Sequence, residues 1–167
     1  CEVDRQAIVP RKSVGQVRFP GKGMALTYYN DLFDKNPDVA GLNLDYIRYP
    51  VSSREEDTGF TIEAMKGFYE GVMGKTFTAN QSSSREKMYN KFDQLFNKDY
   101  LLGGEAEAEE NYQKWVDYRM GLITAYVKRI KTEIKDERNI ILSTSVFASL
   151  QESTNAKKQD WQTWYLN

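Results

Sequence analysis

A carboxylate set inside an apolar, strand-like run is the first residue here whose type and setting suggest chemistry. In Gly41-Leu42-Asn43-Leu44-Asp45-Tyr46-Ile47-Arg48-Tyr49-Pro50, Asp45 follows an alternation that reads as a strand over 39–49. Period two places Asn43, Asp45 and Ile47 on one face and Leu44, Tyr46 and Arg48 on the other. A buried carboxylate costs several kcal/mol unless it is partnered or solvated, so its position asks for a reason. The chemical reading is a nucleophile, or a stabiliser of an oxocarbenium-like centre, with Arg48, Tyr46 and Tyr49 holding its geometry and touching sugar. The plain reading is an Asp45–Arg48 ion pair tying the strand end to its loop. The residue pattern alone weighs the two equally.

Other residues join as candidates by pattern. Ser143 and Ser145 alternate with apolar neighbours in a second strand-like run, 140–147, and are candidate hydrogen-bond donors to a sugar hydroxyl. Trp161 is a candidate stacking platform, although a Trp with another, Trp164, three residues on is more often one packed helix edge. Glu152 is a candidate second carboxylate, with a solvated loop charge as the commoner explanation. Glu55, Glu56 and Asp57 offer hard oxygen ligands, but three adjacent acids lack the spacing of a calcium loop. The chain has no histidine and one cysteine, Cys1, which removes Ser/His and Cys/His pairs, the usual zinc sites and an internal disulfide. Carboxylates must carry any acid or base work. No metal and no organic cofactor is expected.

The elements that would position these residues follow from periodicity. Residues 1–22 read as irregular, with a short alternating stretch at Val14–Phe19. Apolar positions over 23–33 predict a helix ended by Asn36-Pro37-Asp38, and a polar loop, 51–58, precedes a helix from Thr61 to about Val72. Residues 74–111 read as an insertion with a short helix around Met88–Phe96. The longest helix opens at Glu105, with Val116, Met120, Ile123, Val127, Ile130 and Ile134 on one face. The second strand comes next, then a polar loop and an aromatic segment at 161–165. Strand, long helix and strand make a βαβ unit with parallel strands, and the apolar strands predict a sheet covered on both faces. No glycine-rich phosphate loop stands between strand and helix, so a Rossmann fold is not expected.

The run at 41–50 resembles the fourth-strand motif of the bacterial glycosyl hydrolase-like family 10, earlier catalogued as a domain of unknown function. Trp115, Tyr118-Arg119 and 123–130 resemble that family's following helix, 142–147 its fifth strand, and Gln159-Asp160-Trp161 to Trp164 the segment leading to the sixth. The resemblance covers about 130 residues in order. It implies an α/β fold, the middle part of a (β/α)8 TIM barrel, and hydrolysis of glycosidic bonds in bacterial extracellular or cell-wall polysaccharide. A complete barrel needs about 250 residues, so 1–167 is expected to be a single incomplete barrel domain.

Composition bounds the partners. With 23 Lys and Arg against 24 Asp and Glu, no basic footprint for nucleic acid exists, and no run approaches the length of a membrane span. Eleven Tyr, eight Phe and three Trp suit carbohydrate contact as well as a core. A first-residue Cys1 fits either a processed lipoprotein or a cut inside a longer chain, and the resemblance places the protein outside the cell or in the envelope. Beside the hydrolase stand two alternatives: a non-catalytic glycan-binding module, marked by the lack of a second carboxylate near Asp45, and an envelope domain that associates through an open sheet edge.

Overall fold

The computed structural model describes residues 24–49 and 58–166. These gather into two compact units: 24–49 and 58 with 120–166, and Gly59–Arg119. The alternating stretch at Val14–Phe19, Cys1, Pro50 and the acidic run Glu55 to Asp57 lie outside the described residues.

The first unit opens with helix α1 (Met24–Lys35) and strand β1 (Gly41–Leu44). Strand β2 (Ile141–Thr144) pairs with β1 in parallel, Gly41 opposite Ile141 and Leu44 opposite Thr144. Gly41 is required there, because a Cβ would sit 2.6 Å from the Ile141 carbonyl oxygen. One sheet face carries Leu42 and Leu44, buried with Tyr29 and Phe33 of α1 and with Ile123, Val127, Ile130 and Ile134. Each such aliphatic side chain contributes roughly 1.5–3 kcal/mol by leaving water.

Those four isoleucine and valine positions come from α4 (Gly104–Ile130) and the π-helical turn Lys131–Asp136 that continues it. Acidic residues Glu105 and Glu107 in the first turn of α4, and Lys128 and Arg129 in the last, complement the helix dipole. After the π turn, Asn139 takes a left-handed backbone (φ 53°) that turns the chain into β2. Arg138 fixes this corner: it donates to Asn30 Oδ1 at 2.9 and 3.0 Å and pairs with Asp34 at 2.8 Å, both on α1. Helices α5 (Leu150–Lys157) and α6 (Trp161–Leu166) close the unit.

The second unit is helical. Helices α2 (Ile62–Gly71) and α3 (Arg85–Asp93) are started by Thr61 and Ser84, whose hydroxyls accept from Ala64 N and Lys87 N. With the first part of α4 they bury Met65, Phe68, Tyr69, Phe77, Met88, Phe92, Leu95 and Trp115. Trp115 is the hub, stacked on Phe60 at 5.5 Å and on Tyr118 at 5.8 Å, with Phe68 and Phe92 edge-on.

The expected TIM-barrel architecture is overturned. The described chain is mostly helical, and its strands form one two-stranded sheet of four residues each. Nor is that sheet covered on both faces: opposite the core face, Ile141 is 69% exposed and Ser143 is exposed. The reason lies in the strand-like runs themselves. Of 39–49 only Gly41–Leu44 pairs, because the backbone turns at Tyr46 (φ 55°), and of 140–147 only Ile141–Thr144 does. Short rungs with one wet face suit a helix-backed ribbon and not a closed barrel. Parallel pairing of the two predicted strands, with the long helix between them in sequence, is present.

Candidate binding face at the strand ends

The exposed sheet face carries a polar rung. Asn43 and Ser143 are register partners, and the Ser143 hydroxyl donates to Asn43 Oδ1 at 2.9 Å. The Asn43 amide in turn donates to Ser145 Oγ at 3.4 Å. An amide has two donors and a hydroxyl two lone pairs, so this chain of bonds keeps capacity for an incoming hydroxyl. Asn43 of the first strand-like run and Ser143 and Ser145 of the second are thus brought together in the structure.

Asp45 follows at the end of β1, partly exposed, with Oδ1 accepting the Tyr46 N–H at 2.9 Å. Here strand alternation stops. Tyr46 adopts a left-handed backbone, and Arg48 N donates to Tyr46 O at 2.7 Å, a three-residue turn across Ile47. Ile47 is therefore turned into the core, away from the Asn43 and Asp45 face that period two assigns to it. The same turn brings Tyr46 and Arg48 together, the guanidinium 4.7 Å from the Tyr46 ring centroid and 4.9 Å from that of Phe147. Arg48 does not pair with Asp45; its contacts are aromatic. Tyr46 remains 55% exposed.

The two strand ends are joined by Gln159, which is fully buried. Its amide donates to Ile47 O and Ser145 O, both at 3.3 Å, and its Oε1 accepts from Phe147 N at 3.4 Å and from Ser153 Oγ. The Tyr49 N–H donates to Lys157 O at 3.1 Å, tying the turn to the end of α5. Lys157 Nζ lies 5.4 Å from the Phe147 ring centroid. Tyr49 itself is a core residue, 2% exposed.

Two other candidates stand elsewhere. Trp161 begins α6, its buried indole N–H without an acceptor in the described residues, and neither a ring contact nor a hydrogen bond joins it to the rung or to Arg48. Glu152 sits on the exposed first turn of α5, where its backbone N–H is capped by Ser149, and makes no hydrogen bond to Asp45. Phe147, Lys157 and Gln159 escaped sequence reasoning as site residues. Only Ser149 with Glu152 three residues on, the pattern of a helix start, signals the helix that delivers Lys157.

Among the described residues no group of three or more Cys, Asp and Glu is placed to hold a metal ion, and no helix is long and apolar enough to cross a membrane. No family model, curated protein or solved structure matches the chain.

Proposed function

We propose that the strand-end face binds a saccharide, with Asn43, Ser143 and Ser145 meeting sugar hydroxyls and the exposed ring of Tyr46 meeting a pyranose face. The observation that carries this reading is the hydrogen-bonded rung beside an aromatic ring held in place by Arg48. Saccharide recognition needs that combination of polar edge and flat apolar face, fixed before the ligand arrives. The resemblance of 41–50 to a glycosyl hydrolase-like family supports the same ligand class and points to bacterial extracellular or cell-wall polysaccharide.

Hydrolysis is the second reading, favoured by Asp45. A carboxylate steadied by the Tyr46 N–H at the edge of the polar rung is suited to act as nucleophile or electrostatic stabiliser. Such chemistry needs a second carboxyl group about 5 Å away for retention or about 6.5–9.5 Å for inversion. Two measurements separate the readings. Titration calorimetry against neutral and charged cell-wall oligosaccharides should show binding that Tyr46→Ala weakens about fivefold to tenfold, the scale of one aromatic contact. Release of reducing ends should be tested beside Asp45→Asn. A loss of about a thousandfold at unchanged binding makes Asp45 catalytic, whereas binding without any release leaves a recognition module. Failure of every glycan to bind would end the proposal.

A further inference from the structure

Arg48 and Lys157 lie 109 positions apart in sequence and meet at one ring. The guanidinium is 4.9 Å and the ammonium 5.4 Å from the Phe147 centroid, so the two charges are at most about 10 Å apart, the scale of a Debye length at about 0.1 M salt. Neither cation pairs with a carboxylate among the described residues. The acids nearest to them in sequence have other bonds: Asp45 Oδ1 takes the Tyr46 N–H, and Asp160 takes the N–H and the hydroxyl of Thr163. Lys157 in the last turn of α5 is accounted for by the helix dipole. Arg48 has no such explanation. With its guanidinium over the rings of Tyr46 and Phe147, Arg48 keeps N–H donors for a planar, anionic acceptor.

The backbone holds this arrangement in advance. Tyr49, next to Arg48, donates to the carbonyl of Lys157, and Gln159 bonds the strand-end segments that carry Ile47 and Phe147. Two like charges kept together by a buried amide, beside a rung of hydroxyls, are stabilised when an anion arrives. We propose that Arg48 and Lys157 form an anion subsite of the binding face, and that the saccharide it takes carries a carboxylate. This rests on the saccharide-binding reading above.

The probes are an oligogalacturonate, the same oligomer after carboxyl reduction to the neutral sugar, and free acetate, each titrated into the full chain. The acidic oligomer should bind about tenfold to hundredfold more tightly than its reduced form, the range of one charge-assisted contact, and the advantage should shrink as salt rises. Lys157→Gln should erase most of that advantage while leaving affinity for the reduced oligomer unchanged, whereas Arg48→Gln should erase it and, by releasing the Tyr46 ring, weaken the reduced oligomer as well. Lys157→Gln keeps the test decisive if Arg48→Gln disturbs the turn. Equal binding of both oligomers overturns the anion subsite and leaves saccharide recognition standing. Binding of neither oligomer, with acetate still shifting the Arg48 Nε–H resonance, overturns saccharide recognition and leaves an anion site. Silence from all three probes overturns both.

Discussion

Gln159 concentrates more structural consequence in one side chain than any residue of the first unit. It is uncharged, fully buried and bonded to two carbonyls, one N–H and one hydroxyl. Replacing it with leucine takes this partner from the Ile47 and Ser145 carbonyls and the Phe147 N–H, at about 1–3 kcal/mol for each that water fails to reach, while Ser153 keeps its bond to the backbone carbonyl of residue 159. Urea denaturation of Gln159→Leu should therefore show a loss of several kcal/mol, and saccharide binding by the fraction still folded should weaken as well. A stability unchanged to within about 0.5 kcal/mol would mean that the amide is not the brace described here. Little of this was legible in the sequence. Gln159 is one glutamine in a polar stretch, and a hydrogen bond to the carbonyl of Ile47, 112 residues away, leaves no local pattern. Asn43, Ser143 and Ser145 were legible because strand alternation sorts side chains by parity. The misplacement of Ile47 has the same origin, since parity fails once Tyr46 turns left-handed.

Helix periodicity carried the furthest of all the sequence signals. Helix α4 came through because its apolar positions repeat over several turns, and α2 because Thr61 caps it. Helix α5 was read as loop, its segment Leu-Gln-Glu-Ser-Thr-Asn-Ala-Lys holding too few apolar residues to show a face. The strands were read too long, since apolar residues after Leu44 and Thr144 turn into the core or the solvent without pairing. Two glycines test how differently elements respond to the same change. Gly41→Ala forces a Cβ against the Ile141 carbonyl and should destabilise the sheet by about 1–3 kcal/mol, whereas Gly121→Ala, in open space within α4, should stabilise by about 0.5–1 kcal/mol. Thermal melts of the two variants should move in opposite directions. Matching shifts would show that the close approach at Gly41 is relieved by movement of β2.

Both units bury tyrosines, and this couples the whole molecule to alkaline pH. Burial raises the pKa of Tyr69 and Tyr118 in the second unit, and of Tyr126 in the first, above the ordinary value of 10.0; for Tyr126 a hydrogen bond with Tyr29 and the charge of Arg129 oppose the shift without cancelling it. The folded chain therefore keeps these protons to higher pH than the unfolded chain does. Their contribution to stability is full below about pH 10 and is lost as pH rises through the folded values. Unfolding free energy measured from pH 8 to 11.5 should fall at the alkaline end, and Tyr126→Phe should flatten part of that fall. A slope untouched by the substitution would assign the loss to other groups. At this scale the sequence reading of a barrel went furthest astray, because two apolar segments in the right order say nothing about how many further strands close around them.

The register of the sheet has a consequence in time. Asn43 and Ser143 meet across 100 residues of chain, so the contact that builds the polar rung also closes a long loop. The entropy of that closure must be met before any pairing bond rewards it, whereas the helices of the second unit form from neighbours in sequence. In refolding, helical signal should thus recover ahead of Tyr46 and Phe147 ring contacts with Arg48, and a nascent chain would acquire its binding face last.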